Sequence, residues 1–296
     1  MTDHHHSHAT NYGRAFAAGI SLNVLFVLVE MFYGWQADSL ALLSDAGHNL
    51  SDVLGLAIAW GGFYLGKLRP NQKHTYGLGR VTIMAALFNA LILLVAIGGI
   101  AWEAIARFNH PVPIQGGTVI LVAAIGVAVN GITAWLFVSG NKDDLNLRGA
   151  FLHMAADALV SLGVVIAGAI YIWAGWSWLD PAISLAIAVV ILLGTWGLLR
   201  QSLHLSLDGV PASIELDEVR SYLATQPGVS EVHDLHVWAM STSEIALTAH
   251  LVLPDGHQGN DFLKRVSEEL HDQFAIEHAT IQIEIGGRTC ALSAHA

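Results

Sequence analysis

A single cysteine, Cys290, leaves this 296-residue chain without an intramolecular disulfide and without a multi-thiolate zinc site of its own. Basic residues are scarce too. Thirteen Lys and Arg stand against 24 Asp and Glu, a formal net charge of -11, which argues against nucleic acid as a partner. Charged residues of both signs make up only 12% of the chain and hydrophobic residues 54%, which excludes an ordinary soluble domain. The string His-Glu-x-x-His does not occur, so the ligand-and-base arrangement of an intramembrane metalloprotease is missing. The N-terminus is neither basic nor followed by a small-residue cleavage site, and the first apolar run is expected to serve as an uncleaved insertion signal.

What the chain has is long apolar runs. Six of them, residues 15–36, 40–65, 81–108, 118–138, 150–174 and 181–199, reach the ~20 residues that cross ~30 Å of hydrocarbon at ~1.5 Å per residue. With the N-terminus inside, Arg14, Lys67, Arg69, Lys73, Arg80, Lys142, Arg148 and Arg200 are cytoplasmic and only Arg107 is outside. Both termini are therefore expected in the cytoplasm. Residues 1–200 hold 9 Lys/Arg and 10 Asp/Glu, whereas 201–296 hold 4 and 14, which separates an apolar body from an acidic C-terminal domain. The expected division is a His-rich tail at 1–13 with His4, His5, His6 and His8, a six-helix transmembrane domain at 14–208, and a cytoplasmic domain at 209–296.

Two pairs within the apolar runs carry the chemistry. His48 and Asp52, and again His153 and Asp157, are four residues apart, so on a helix each imidazole and carboxylate share a face. An ionised Asp at mid-membrane costs about 2.5 to 3.5 kcal/mol on insertion scales, and a divalent cation between two such pairs would offset it. Two imidazoles and two carboxylates suit a tetrahedral borderline ion, above all Zn2+. Asp45 lies two turns before Asp52 and, with Glu30 in the first run, is a candidate for an ion path. Asn23, Asn89 and Asn130 are expected to hydrogen-bond between helices. His74, in the loop before the third run, is a candidate exposed ligand.

After Gly209 and Pro211 the rhythm changes. Helix at 214–225, strands at 229–238 and 245–253, helix at 261–274 and strand at 280–285 predict an αββαβ open-faced sandwich. Ile245, Leu247, Ala249, Leu251 and Leu253 form one strand face, as do Ile281, Ile283 and Ile285, so His250 and Glu284 point away from the helices. Strict alternation puts His236 with His250 and Glu284, and His233 on the other face; one bulge reverses that. A His/His/carboxylate group there reads equally as a regulatory metal site or a wet dimer surface.

The segment from Ser39 through Asp45 and His48 to Asp52, together with His74-Thr75-Tyr76-Gly77, the His153 and Asp157 pair, His233-Asp234-Leu235-His236-Val237-Trp238 and His278 to Glu284, resembles the cation diffusion facilitator family, in particular its bacterial zinc-efflux branch. The resemblance runs over nearly the whole chain. It implies a homodimer of six-helix subunits in the cytoplasmic (inner) membrane, with metallochaperone-like cytoplasmic domains, exporting divalent metal in exchange for protons. It also implies a transport site of His48, Asp52, His153 and Asp157 that favours zinc, and a cytoplasmic zinc site using His233, His250 and Glu284. A non-transporting zinc sensor would use the same residues.

Overall fold

In hydrocarbon every backbone N–H and C=O must be satisfied within the protein, so apolar runs of this length form helices. The computed structural model describes residues 9–66, 70–138 and 145–285 and contains six long helices, α1 (Ala9–Gln36), α2 (Leu40–Gly66), α3 (Arg80–Asn109), α4 (Gly116–Val138), α5 (Leu145–Ala174) and α6 (Leu179–Ser206). His4, His5, His6, His8, Lys67, Arg69, Lys142 and Cys290 lie outside the described residues. Among the described residues, four segments are long and apolar enough to cross a membrane, Arg80–Asn109, Gly116–Trp135, His153–Ala174 and Leu179–Ser206. The helices α1 and α2 are comparably long, at 28 and 27 residues, but carry Asn23, Glu30, Asp45, His48, Asn49 and Asp52. α6 runs past the expected end at 199, because no breaker occurs before Gly209 and Pro211.

The described residues belong to two compact units, one comprising Met1–Leu56 and Asn89–Gly197, the other Ala57–Phe88 and Leu198–Ala296. In the first, Phe26 of α1, Leu42 of α2, Leu93 and Ile97 of α3, Val119 and Val122 of α4, Val164 of α5 and Ile187 and Ile191 of α6 form one apolar core. α4 lies against α5 and α1. Glycine permits the approach: a Cβ at Gly126 would stand 2.7 Å from Phe26 and 3.0 Å from the Ser161 hydroxyl. Large apolar side chains such as Val95, Trp102, Trp173 and Leu193 are exposed, a surface suited to acyl chains. Asn89 and Asn130 are buried, but their amides find no hydrogen-bond partner among the described residues, and Asn23 Nδ2 reaches only Met154 Sδ at 3.9 Å. Among the described residues, the interhelical bond expected of these asparagines is made by Asn23 alone, from α1 to a sulfur of α5.

In the second unit the elements are α7 (Leu216–Ala224), β1 (Glu231–Ala239), β2 (Ile245–Val252), α8 (Asn260–Phe274) and β3 (His278–Glu284), the αββαβ order. β1 pairs antiparallel with β2, and β3 parallel with β2, α8 supplying the crossover. Val219 and Leu223 of α7, and Phe262, Val266 and Leu270 of α8 at four-residue spacing, cover Leu247, Ala249, Leu251 and Leu253. Ile281 and Ile283 join that core, whereas Ile285 lies beyond the end of β3 and is exposed. The Tyr222 hydroxyl donates to Glu269 Oε2 at 2.7 Å, linking α7 to α8; burial, then the adjacent carboxylate, push that phenol well above its ordinary pKa and keep it a donor.

Candidate metal centres

α2 and α5 each present one His-x-x-x-Asp pair on a single face, and the structure joins the pairs crosswise. His48 Nε2 lies 3.2 Å from Asp157 Oδ1, and His153 Nε2 lies 3.2 Å from Asp52 Oδ2. Within each helix the spacing is longer, 4.0 Å for His48 Nδ1 to Asp52 Oδ2 and 3.8 Å for His153 Nε2 to Asp157 Oδ2. Ligand atoms of His48, Asp52 and Asp157 lie within 4.8 Å of one another, and the two imidazole centroids are 6.1 Å apart. Asp157 is buried, while the His153 side chain is 44% exposed. The group thus has a buried carboxylate floor and a more open imidazole edge. Beyond the imidazoles, Asp157 Oδ2 and Asp52 Oδ2 have no hydrogen-bond partner among the described residues.

The end of α2 that carries this pair is held by a residue that the sequence pattern did not single out. Asp180, in the first turn of α6, accepts from the Ser39 hydroxyl at 2.6 Å and from the backbone N–H of Leu40 at 3.0 Å and Ala41 at 3.4 Å. It caps α2 from another helix. The connection between α1 and α2 is fixed further by Arg107, which donates to the Asp38 carbonyl, and by the Gln115 N–H donating to the Ala37 carbonyl at 3.1 Å. A lone acidic residue opening the last apolar run was the one available signal, and it does not say which helix it caps.

Glu30 and Asp45 are both fully buried in the first unit. Asn49 Nδ2 donates to Glu30 Oε2 at 3.2 Å, and the Ser161 hydroxyl donates to Asp45 Oδ2 at 2.8 Å. Neither Asn49 nor Ser161 stood out in the sequence, since apolar runs commonly contain both residue types.

The second cluster lies on the sheet. Two residues, Asp234 and Leu235, bulge out of the β1–β2 register between His233, opposite His250, and His236, opposite Thr248. Asp234 takes a positive φ of 49°, which Asp tolerates better than most residues. The bulge turns His233 onto the face of His250 while Leu235 and Val237 still enter the core. His233 Nε2 lies 3.4 Å from Glu284 Oε2 and His250 Nδ1 2.8 Å from Glu284 Oε1; the two rings are 5.2 Å apart. His233, His250 and Glu284 have ligand atoms within 4.8 Å of one another.

His236 departs from the expectation of strict alternation. It shares the sheet face but not the cluster, because the bulge sets it opposite Thr248; its Nε2 lies 3.0 Å from Asp234 Oδ1 and its side chain is 56% exposed. Asp234, whose Oδ2 is 3.5 Å from His250 Nε2, bridges the two histidines and was not among the expected residues. A bulge has no reliable sequence signature, so strict alternation assigns His236 to the cluster and places His233 on the other face. His74 belongs to the same unit as this cluster, is exposed, and lines a cavity of about 850 Å3 with Lys73, Tyr76, Arg80, His236 and Trp238.

A helical membrane body with a cage of two imidazoles and two carboxylates, joined to an α+β domain with a His/His/Glu cluster, defines a cation-handling membrane protein. Comparison with known proteins makes this specific. Residues 16–205 match the profile "Cation efflux transmembrane domain" and residues 211–285 match "Cation efflux protein, cytoplasmic domain". The chain belongs to the cation efflux family; it is a transporter and not an enzyme. It is 36% identical over 289 residues to the zinc transporter ZitB of Escherichia coli, covering 95% of this chain and 92% of that protein. It is 38% identical over 284 residues to the metal cation efflux system protein CzcD of Cupriavidus metallidurans, covering 95% and 90%. A Bacillus velezensis protein named cadmium, cobalt and zinc/H(+)-K(+) antiporter is 34% identical over 288 residues, covering 95% and 91%.

Proposed function

We propose that this chain exports divalent metal cations, zinc foremost, from the cytoplasm across the inner membrane in exchange for protons, with His48, Asp52, His153 and Asp157 as the transport site. The observation that carries the reading is the crosswise pairing of α2 and α5, with each imidazole 3.2 Å from the other helix's carboxylate. Two hard oxygens and two borderline nitrogens suit zinc, and the absence of thiolate lets the ion leave. Entering metal displaces protons from His48 and His153 and is neutralised by Asp52 and Asp157. Imidazole suits the exchange because its unperturbed pKa of about 6.5 allows modest acidity to compete with the metal.

Both termini lie in the cytoplasm in this reading, and the membrane body ends at residue 208, with the acidic domain from 209 onward forming the contact of a homodimer. The dimer is supported by the match to the cytoplasmic domain of cation efflux proteins. Zinc flux into proteoliposomes under an imposed pH gradient is the direct test. Uptake that scales with the gradient is expected; zinc that binds but never moves, under any gradient, would replace transport with sensing.

His233, His250 and Glu284 hold a regulatory metal in the cytoplasmic domain. The residues fit the ion: both ring nitrogens of His233 are buried and without a hydrogen bond among the described residues, and Glu284 spans both imidazoles. A cation bound there would reduce repulsion within an acidic domain and favour the dimer. Glu284→Ala should lower zinc affinity of the cytoplasmic domain by at least about tenfold, because even the partners behind metal ligands are worth 10–100-fold. Titration calorimetry on the full chain with the membrane cage disabled reads this, and unchanged binding would remove the site.

A further inference from the structure

Glu30 on α1 and Asp45 on α2 are carboxyl groups for which the cage has no use. Both are 0% exposed. One oxygen of each is engaged, Glu30 Oε2 by Asn49 and Asp45 Oδ2 by Ser161. The other oxygen of each, Glu30 Oε1 and Asp45 Oδ1, accepts no hydrogen bond from any donor among the described residues, and Asn49, which holds Glu30, lies one turn after Asp45 on the same face of α2. Two carboxylates side by side in an apolar bundle repel and lose their water; one proton between them turns the two orphaned oxygens into a donor and an acceptor.

Among the described residues, His48 is the one side chain able to carry positive charge that acts on Asp45. The titratable groups that act on Asp45 besides Glu30 are His48 from its own helix and Asp157 from α5. α4, which lies against α1 and α5, has no Asp, Glu, His, Lys or Arg in Gly116–Val138. Neither Glu30 nor Asp45 hydrogen-bonds a cage residue, yet their partners are set on the same turns as the cage: Asn49 follows His48, and Ser161 is four residues after Asp157. The Ser161 to Asp45 bond thus joins α5 to α2 beside the cage.

We propose that Glu30 and Asp45 form a proton-binding site distinct from the metal cage, holding one proton between Glu30 Oε1 and Asp45 Oδ1 and carrying it as one of the protons exchanged for metal. The proposal rests on the antiport reading above. A single proton passes from water to the pair and back to water on the opposite side, and no other bond is made or broken. Each exchanged proton contributes a factor of about ten in steady-state metal accumulation per pH unit of gradient. Removing one proton from the cycle removes one such factor.

The test uses the full chain in proteoliposomes, with Glu30→Gln and Asp45→Asn, which keep shape and hydrogen bonding but cannot exchange the proton. Protons released per zinc bound are counted in buffers of differing ionisation enthalpy, alongside steady-state zinc accumulation against gradient. We expect the proton count to fall by about one and the accumulation to fall by about tenfold per pH unit, with zinc still bound by the cage. An unchanged proton count and gradient slope in both variants overturns the proposal and leaves antiport standing. No gradient dependence in the unaltered chain overturns both. If neither variant folds, infrared difference spectra of the unaltered chain decide: a protonated-carboxyl band that changes on zinc addition, and is lost on raising pH, supports the pair, and its absence overturns it.

Discussion

Asp157→Ala should abolish gradient-driven zinc flux and reduce zinc affinity of the membrane site by at least about 100-fold, since losses of only the residues behind metal ligands already cost 10–100-fold. Asp157 is the buried member of the group and faces both imidazoles, at 3.2 and 3.8 Å, so its loss takes a carboxylate from both pairs at once. His153→Ala should be almost as severe for flux, although His153 is the most exposed of the four. Both variants should keep their helical content, because each leaves the apolar core around Val164 and Val122 intact. Flux and circular dichroism on the same preparations check this. A variant that transports at the unaltered rate would take its residue out of the transport site.

Asp180→Ala should destabilise the membrane body by about 3 kcal/mol, the loss of a cap at 0.5–2 kcal/mol plus buried donors left unpaired at 1–3 kcal/mol. Three donors lose their acceptor together: the Ser39 hydroxyl and the N–H groups of Leu40 and Ala41. Ser39, Leu40 and Ala41 are all buried within the protein, which leaves little room for water to take its place. The end of α2 then frays, and the effect on transport reaches the cage through the helix that bears His48 and Asp52. Asp180→Asn retains an acceptor oxygen and should recover most of the stability. Thermal unfolding in detergent distinguishes the two; equal melting of Ala and unaltered proteins would mean the cap is dispensable.

Much of this was legible in the primary structure. The His48/Asp52 and His153/Asp157 spacing is a local fact, because four residues on a helix return to the same face whatever surrounds them. The αββαβ order was legible for the same reason: alternation at Ile245 to Leu253 and the fourfold spacing of Phe262, Val266 and Leu270 are short-range patterns. His233 and His236 were not separable, since one extra residue in a strand exchanges faces and β1 carries such a bulge at Asp234 and Leu235. Asp180 was missed because its partners lie about 140 residues away.

What the sequence alone determined is the class of the chain and the chemistry of its cage. Hydrophobic length fixes spans, and helical period fixes which side chains share a face, neither of which needs long-range information. Only the tertiary structure decided which carboxylate meets which imidazole, which histidine joins Glu284, and that Glu30 and Asp45 stand together with one bare oxygen each. Those are contacts between elements far apart in the chain, set by packing at Gly126, by an interhelix cap at Asp180 and by a bulge at Asp234.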